Sequence, residues 1–161
     1  MRDTKSGAAG FRQAGFVVPE YRADRLSASS IVLAAKLENT ESGAAVSPFV
    51  IGTTKVIPNL SGTFQRNQPV GIYLQVYNAA IDQTTLRPAA DAEYVLLKNG
   101  KEIAKQTEEW RQINDVGQRL TLSRLIDSRH LEPGEYQIQV RIRDHVSGAT
   151  ITPSTTFTIV P

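Results

Sequence analysis

The sequence predicts an all-β fold, a Greek-key sandwich of roughly seven to nine strands. Three observations predict it. Val, Ile and Thr make up about a quarter of the 161 residues and fall in short blocks, as β-branched residues suited to a pleated surface do. Pro, Gly, Asn and Ser punctuate the blocks, and these are turn residues. Residues 136–142 alternate with a period of two. Tyr136, Ile138, Val140 and Ile142 share one side, and Gln137, Gln139, Arg141 and Arg143 the other, which makes one face buried and one wet. An immunoglobulin- or fibronectin-III-like sandwich suits this strand number and spacing.

Residues 29–36, 48–51 and 54–57 are short strand candidates. Residues 70–78 form a long one, with Ile72, Leu74 and Val76 on one face and Tyr73, Gln75 and Tyr77 on the other. Tyr94-Val95-Leu96-Leu97-Lys98 meets Asn99-Gly100 and then Lys101-Glu102-Ile103. Asn-Gly suits a type I′ hairpin turn, whose two central residues need positive φ. Residues 104–114 are the best helical candidate in the chain. Residues 119–126 alternate at Leu120 and Leu122 and read as a strand. Leu131-Glu132-Pro133-Gly134-Glu135-Tyr136 has the form of a tyrosine corner, in which a phenol at the start of a strand bonds back to nearby backbone. Asp144-His145-Val146-Ser147-Gly148 reads as a turn, and a closing strand follows over 150–160, with Phe157 and Ile159 facing inward.

Composition removes several chemistries. The chain has no cysteine and only two histidines, which excludes disulfide scaffolds, thiolate zinc sites and cysteine nucleophiles. A formal net charge of +2 is too small to announce nucleic-acid binding. No run approaches the roughly 18 apolar residues of a membrane span. The opening residues are polar and lack the apolar core of a signal peptide.

The two ends of the chain match. At a constant offset of 141 residues, 2–19 aligns with 143–160, with identities Arg2/Arg143, Asp3/Asp144, Ser6/Ser147, Gly7/Gly148, Ala8/Ala149 and Phe16/Phe157. Each copy reads as an exit from one strand, a Ser-Gly turn and a closing strand with a core phenylalanine. Residues 1–19 are therefore expected to be the C-terminal hairpin of a preceding, similar domain, and 20–161 the sandwich itself. Such an N-terminal strand either hangs free or adds to an exposed sheet edge.

Four segments carry a family resemblance. They are Val17-Val18-Pro19-Glu20-Tyr21 through Ser29-Ser30-Ile31-Val32-Leu33-Ala34, then Pro48-Phe49-Val50-Ile51-Gly52 with Lys55-Val56, then Gly71-Ile72-Tyr73-Leu74-Gln75-Val76-Tyr77-Asn78, and the Leu131–Tyr136 corner. Together they resemble the C-terminal β-sandwich region of bacterial GWxTD-domain-containing proteins of the Acidobacteria type, over roughly residues 14–160. The GWxTD signature itself is absent. The resemblance implies a module of a large exported protein with tandem sandwiches, periplasmic or extracellular, and carries over no functional residues.

Tyr73, Gln75 and Tyr77 on one strand face, with Trp110, form a possible ligand or partner face: aromatic rings stack on sugars and Gln supplies hydrogen bonds. The competing role for the tyrosines is packing under a loop or against a neighbouring domain. Ser128, Asp127 and His130, or Asp144 and His145, supply triad residue types but no motif that positions a nucleophile; solvated turn histidines explain them better. A loop calcium would use carboxylates such as Asp82, Asp91 or Asp115. Arg124, Arg129, Arg141 and Arg143 form a basic stripe interspersed with Asp127, Glu132 and Glu135, which favours solvated ion pairs. Asn59-Leu60-Ser61 matches a glycosylation sequon, expected to be empty in a bacterial setting. The expectation is a non-catalytic structural or protein-interaction module with no cofactor, no metal and no catalytic residues. Its partners would be neighbouring domains or other proteins, not nucleic acid or membrane. The alternative is a carbohydrate-binding module using the aromatic face.

Overall fold

The structure, a computed structural model, describes residues 15, 22, 24–39, 50–51, 54–116 and 119–161. The expected N-terminal hairpin over 1–19 lies outside the described residues, apart from Gly15.

Among the described residues the strands are β1 (Ser27–Ala28), β2 (Val32–Asn39), β3 (Val50–Ile51), β4 (Thr54–Pro58), β5 (Thr63–Gln65), β6 (Val70–Tyr77), β7 (Ile81–Asp82) and β8 (Arg87–Pro88). They continue with β9 (Ala90–Lys98), β10 (Lys101–Glu108), β11 (Asn114–Val116), β12 (Arg119–Ile126), β13 (Gly134–Asp144), β14 (Thr150–Ile151) and β15 (Ser154–Val160). A 3₁₀ turn, Trp110–Gln112, lies between β10 and β11.

The strands build an all-β sandwich. One sheet has the order β11-β12-β6-β2-β4-β3, with β1 also on β6; the other runs β10-β9-β13-β15-β5, with β14 on β13. A small β7-β8 ribbon stands apart from both. Every pairing is antiparallel except β5 with β15, which is parallel. The two sheets share one core. Ile72, Leu74, Val76, Leu120 and Leu122 meet Tyr94, Leu96, Tyr136, Ile138, Val140, Ile142, Phe157 and Ile159 across it. Phe157 anchors the core: it stacks on Tyr136 at 5.6 Å and receives Phe64 edge-on at 6.0 Å, two favoured aromatic geometries.

The alternation over residues 136–142 and 70–77 lands as predicted, with Tyr136, Ile138, Val140 and Ile142 buried and Ile72, Leu74 and Val76 turned into the core. Asn99 and Gly100 take φ values of 52 and 75 in the β9–β10 turn, as a type I′ turn demands.

Three expectations need correction. The helical candidate over 104–114 is instead strand to Glu108, then the 3₁₀ turn and β11. β10 is an edge strand exposed along nearly its whole length, so it shows no apolar period of two. The closing strand over 150–160 is interrupted at Thr152 and Pro153. There the Pro153 carbonyl accepts the Val140 N–H. The candidate over 29–36 shifts to β2, and residues 48 and 49 of the 48–51 candidate lie outside the described residues.

β6 has a broken partner along one edge. β1 pairs with it at Val76 and Tyr77, and β2 at Gly71–Tyr73. Between them Ser29 bonds Gln75 twice, its N–H to the Gln75 carbonyl and its hydroxyl accepting the Gln75 N–H. Gly71 is required by close approach: a Cβ there would lie 2.7 Å from the Ala34 carbonyl oxygen and 2.9 Å from Ala34 Cβ. The β2–β4 pairing shifts register between Ala34 and Lys36, a bulge of the kind that bends a strand. Leu37 of β2 and Thr54 of β4 share a 400 Å³ cleft with Ser123, Arg124 and Leu125 of β12. The β2–β4 pair therefore leans across the outer face of β6.

Candidate interaction surfaces

The outer face of β6 carries Tyr73, Gln75 and Tyr77 in a row. Gln75 binds both phenols: its Nε2 donates to the Tyr73 hydroxyl at 3.2 Å, and the Tyr77 hydroxyl donates to its Oε1 at 2.9 Å. Tyr73 is only 2% exposed. It forms a second small cluster with Ala34 and Val56, flanked by Val32 and Leu37, outside the main core. Burial pushes its phenol pKa upward. A sugar platform needs this ring open, and Ala34 of β2 and Val56 of β4 close it. Gln75 and Tyr77 remain half-buried.

Trp110 is placed elsewhere, at the end of the sandwich near the β7–β8 ribbon. Its backbone N–H donates to Asp91 Oδ1 at 2.8 Å, and the Arg111 guanidinium lies 4.7 Å from its ring centre. Asp91 Oδ2 is 2.7 Å from His145 Nε2. The His145 backbone N–H donates to the Ala89 carbonyl. Beside it, Asp144 is buried and accepts the N–H groups of Ala80 at 2.8 Å, Val146 at 2.9 Å and Ser147 at 3.1 Å. Burial alone would raise this carboxyl, but the three N–H donors outweigh it and hold it below its usual range. These residues join three loops; sequence reasoning weighed Asp144 with His145 and favoured a solvated turn, and did not connect His145 with Asp91.

The other polar candidates also hold backbone. The Ser128 hydroxyl is buried within 2.6 Å of the Arg66 and Gln68 carbonyl oxygens. Asp127 is gripped by Arg129, which brings its pKa to about 2. His130 is exposed in the same turn. Among the described residues no hydrogen bond links a serine hydroxyl to either histidine. Asp82 Oδ1 accepts the Thr84 and Thr85 N–H groups at 2.9 and 2.8 Å, which lowers its pKa. Among the described residues no group of three or more carboxylates or histidines is placed to hold a metal ion; the Asp115 side chain lies outside the description.

Three arginines of the stripe, Arg124, Arg129 and Arg141, are paired with carboxylates. Arg141 and Lys105 share Glu93, and Arg124 lies 3.3 Å from Glu108. Glu108 also accepts the Tyr94 hydroxyl at 3.0 Å, and burial with this carboxylate drives the Tyr94 pKa well upward. Tyr94 and Arg124 rim a 310 Å³ cleft between β10 and β12, floored by Leu96, Ile126 and Ile138. The sequon asparagine builds a turn: Asn59 Oδ1 accepts from the Ser61 and Gly62 N–H groups and the Ser61 hydroxyl, while its Nδ2 donates to the Thr63 carbonyl at 2.7 Å.

The tyrosine corner is present. The Tyr136 hydroxyl donates to the Glu132 carbonyl at 2.6 Å and accepts from Lys98 Nζ at 3.1 Å. Gly134, at φ 139, opens the corner. No protein-family model matches the chain, and no curated protein is similar to it in sequence.

Proposed function

We infer that this sandwich is a non-catalytic structural or protein-interaction module, one unit of a tandem array in a larger exported bacterial protein. The observation that carries this reading is the set of jobs done by the repeated residues. In the C-terminal copy Asp144 ties the turn to the Ala80 loop. Ser147 Oγ accepts the Ala149 N–H at 3.3 Å, and Gly148 holds φ 73. Phe157 centres the core. Asp3, Ser6, Gly7 and Phe16 stand at the same spacing. Four of the six identities thus fall on residues that build the hairpin or its core contact in the C-terminal copy, as a second copy of that hairpin requires.

The strand order supports an immunoglobulin-type module. β6 and β12 of one sheet face β9, β13 and β15 of the other, β5 runs parallel to β15, and a tyrosine corner opens β13. The exported setting and the GWxTD-type relation rest on the resemblance in the segments around Ile31, Val50, Ile72 and Tyr136. The test is a chain lacking residues 1–19. It should unfold cooperatively at the midpoint of the full chain, by circular dichroism in urea. Loss of cooperativity would make residues 1–19 part of this sandwich and end the tandem reading.

A further inference from the structure

The chain enters and leaves the sandwich at opposite poles. β6 spans them, from Val70 to Tyr77, roughly 25 Å. At the Tyr77 end, Asn78 Nδ2 donates to the Arg22 and Arg25 carbonyls at 2.9 and 3.2 Å, fixing the entering chain. At the other end, Val160 pairs with Gln65, and Pro161 lines a 400 Å³ cleft with Gln65, Arg66, Asn67 and Arg129.

The entry pole exposes apolar side chains that its own turns do not require. Leu86 is 74% exposed at φ 55, a left-handed conformation that leucine disfavours and Gly or Asn adopts readily. Its N–H only closes the turn onto the Asp82 carbonyl. Val146, 47% exposed, caps the turn whose His145 N–H reaches the neighbouring Ala89 carbonyl. An exposed leucine kept in a left-handed conformation is a backbone outlier that its own turn does not explain, and such outliers concentrate at functional contacts.

The geometry points to this pole as the docking face for the exit pole of a preceding sandwich of the same kind. The inference rests on the tandem reading and names the contact between units. Pro19 aligns with Val160, the last strand residue at the exit pole, while Arg22 is already fixed at the entry pole. Only Glu20 and Tyr21 intervene, so the tether from 19 to 22 spans at most about 11 Å. A sandwich closing at Pro19 is thus held against Leu86 and Val146, at the high effective concentration a short linker imposes. The occupant is set by chain continuity: its face is the Pro161 cleft of the preceding copy.

The experiment is a two-copy chain: all 161 residues followed directly by a second copy of 21–161. This keeps the 141-residue period and every described residue of the second copy except Gly15. Backbone ¹⁵N relaxation should give one rigid body, with a correlation time about twice that of the single chain. Leu86→Asn, which suits the left-handed turn, should return it to about the single-chain value when placed in the second copy. The same change in the first copy should do nothing. Independent tumbling of the unmodified two-copy chain, or indifference to Leu86→Asn in the second copy, overturns the docking face. Neither outcome bears on the deletion of 1–19, which tests the tandem reading separately.

Discussion

Replacing Tyr136 by Phe isolates the corner hydrogen bond. The ring keeps its stacking on Phe157 and its core position, because only the hydroxyl is removed. Two bonds go: the 2.6 Å donation to the Glu132 carbonyl and the acceptance from Lys98 Nζ. The carbonyl is not fully orphaned, since Lys98 Nζ also lies 3.4 Å from it. The expected loss is therefore that of one good buried hydrogen bond, about 1–2 kcal/mol, and not the larger penalty of a buried carbonyl without a partner. With a urea slope of about 1–3 kcal/mol per molar, the midpoint should fall by roughly 0.3–2 M with the slope unchanged. The assay is urea unfolding followed by the fluorescence of Trp110, the single tryptophan. An unmoved midpoint would refute the claim that the hydroxyl locks this crossover. Lys98→Met should cost more in Tyr136→Phe than in the wild-type chain, because Lys98 is then the remaining donor to the Glu132 carbonyl.

Asp144→Asn should destabilise the chain by about 1–3 kcal/mol at neutral pH. The folded carboxyl lies below its unfolded value, so its contribution is present above about pH 4 and fades as pH falls through the folded value; the variant should show a flatter acid loss in pH-dependent unfolding, and equal slopes would remove the assignment. Gly71→Ala should cost about 1–3 kcal/mol, because its Cβ meets Ala34 backbone at 2.7 Å; hydrogen exchange at Leu33 and Ile72 should quicken, and wild-type protection would contradict the close approach. Asn59→Ala should lower the thermal midpoint by a few degrees through loss of its turn bonds, roughly 1 kcal/mol. An unchanged melt would mean those bonds do not hold the loop.

What could be read in the sequence followed from locality. β13 and the Asn99-Gly100 turn are legible because alternation and φ preference are properties of adjacent residues. β10 is not, because an edge strand exposed on both faces has no apolar face to alternate, and its Lys, Glu and Gln residues are equally good helix formers. β5 is three residues long and exists by pairing with β15 at the far end of the chain. The same limit governs the candidate face. Sequence placed Tyr73 and Tyr77 correctly on one side of β6. That a bulge between Ala34 and Lys36 would bring the β2–β4 pair over Tyr73 is a tertiary event without a local signature. Asp91 and His145 stand 54 residues apart in the chain and meet only once β9 and β13 are paired.

The parallel pairing of β5 with β15 also sets a timetable for synthesis. β15 is an interior strand, flanked by β13 and β5, yet it is made after both. Until residues 154–160 leave the ribosome, Tyr136 and Phe64 lack Phe157, and two strands display unpaired edges next to an open core. At roughly 5–20 residues per second, more than a hundred residues of nascent chain must wait in that state for seconds. Closure then joins strands nearly a hundred residues apart, the slow kind of contact for a folding chain. A nascent sandwich of this order is most exposed to aggregation and to holding chaperones just before its last strand emerges.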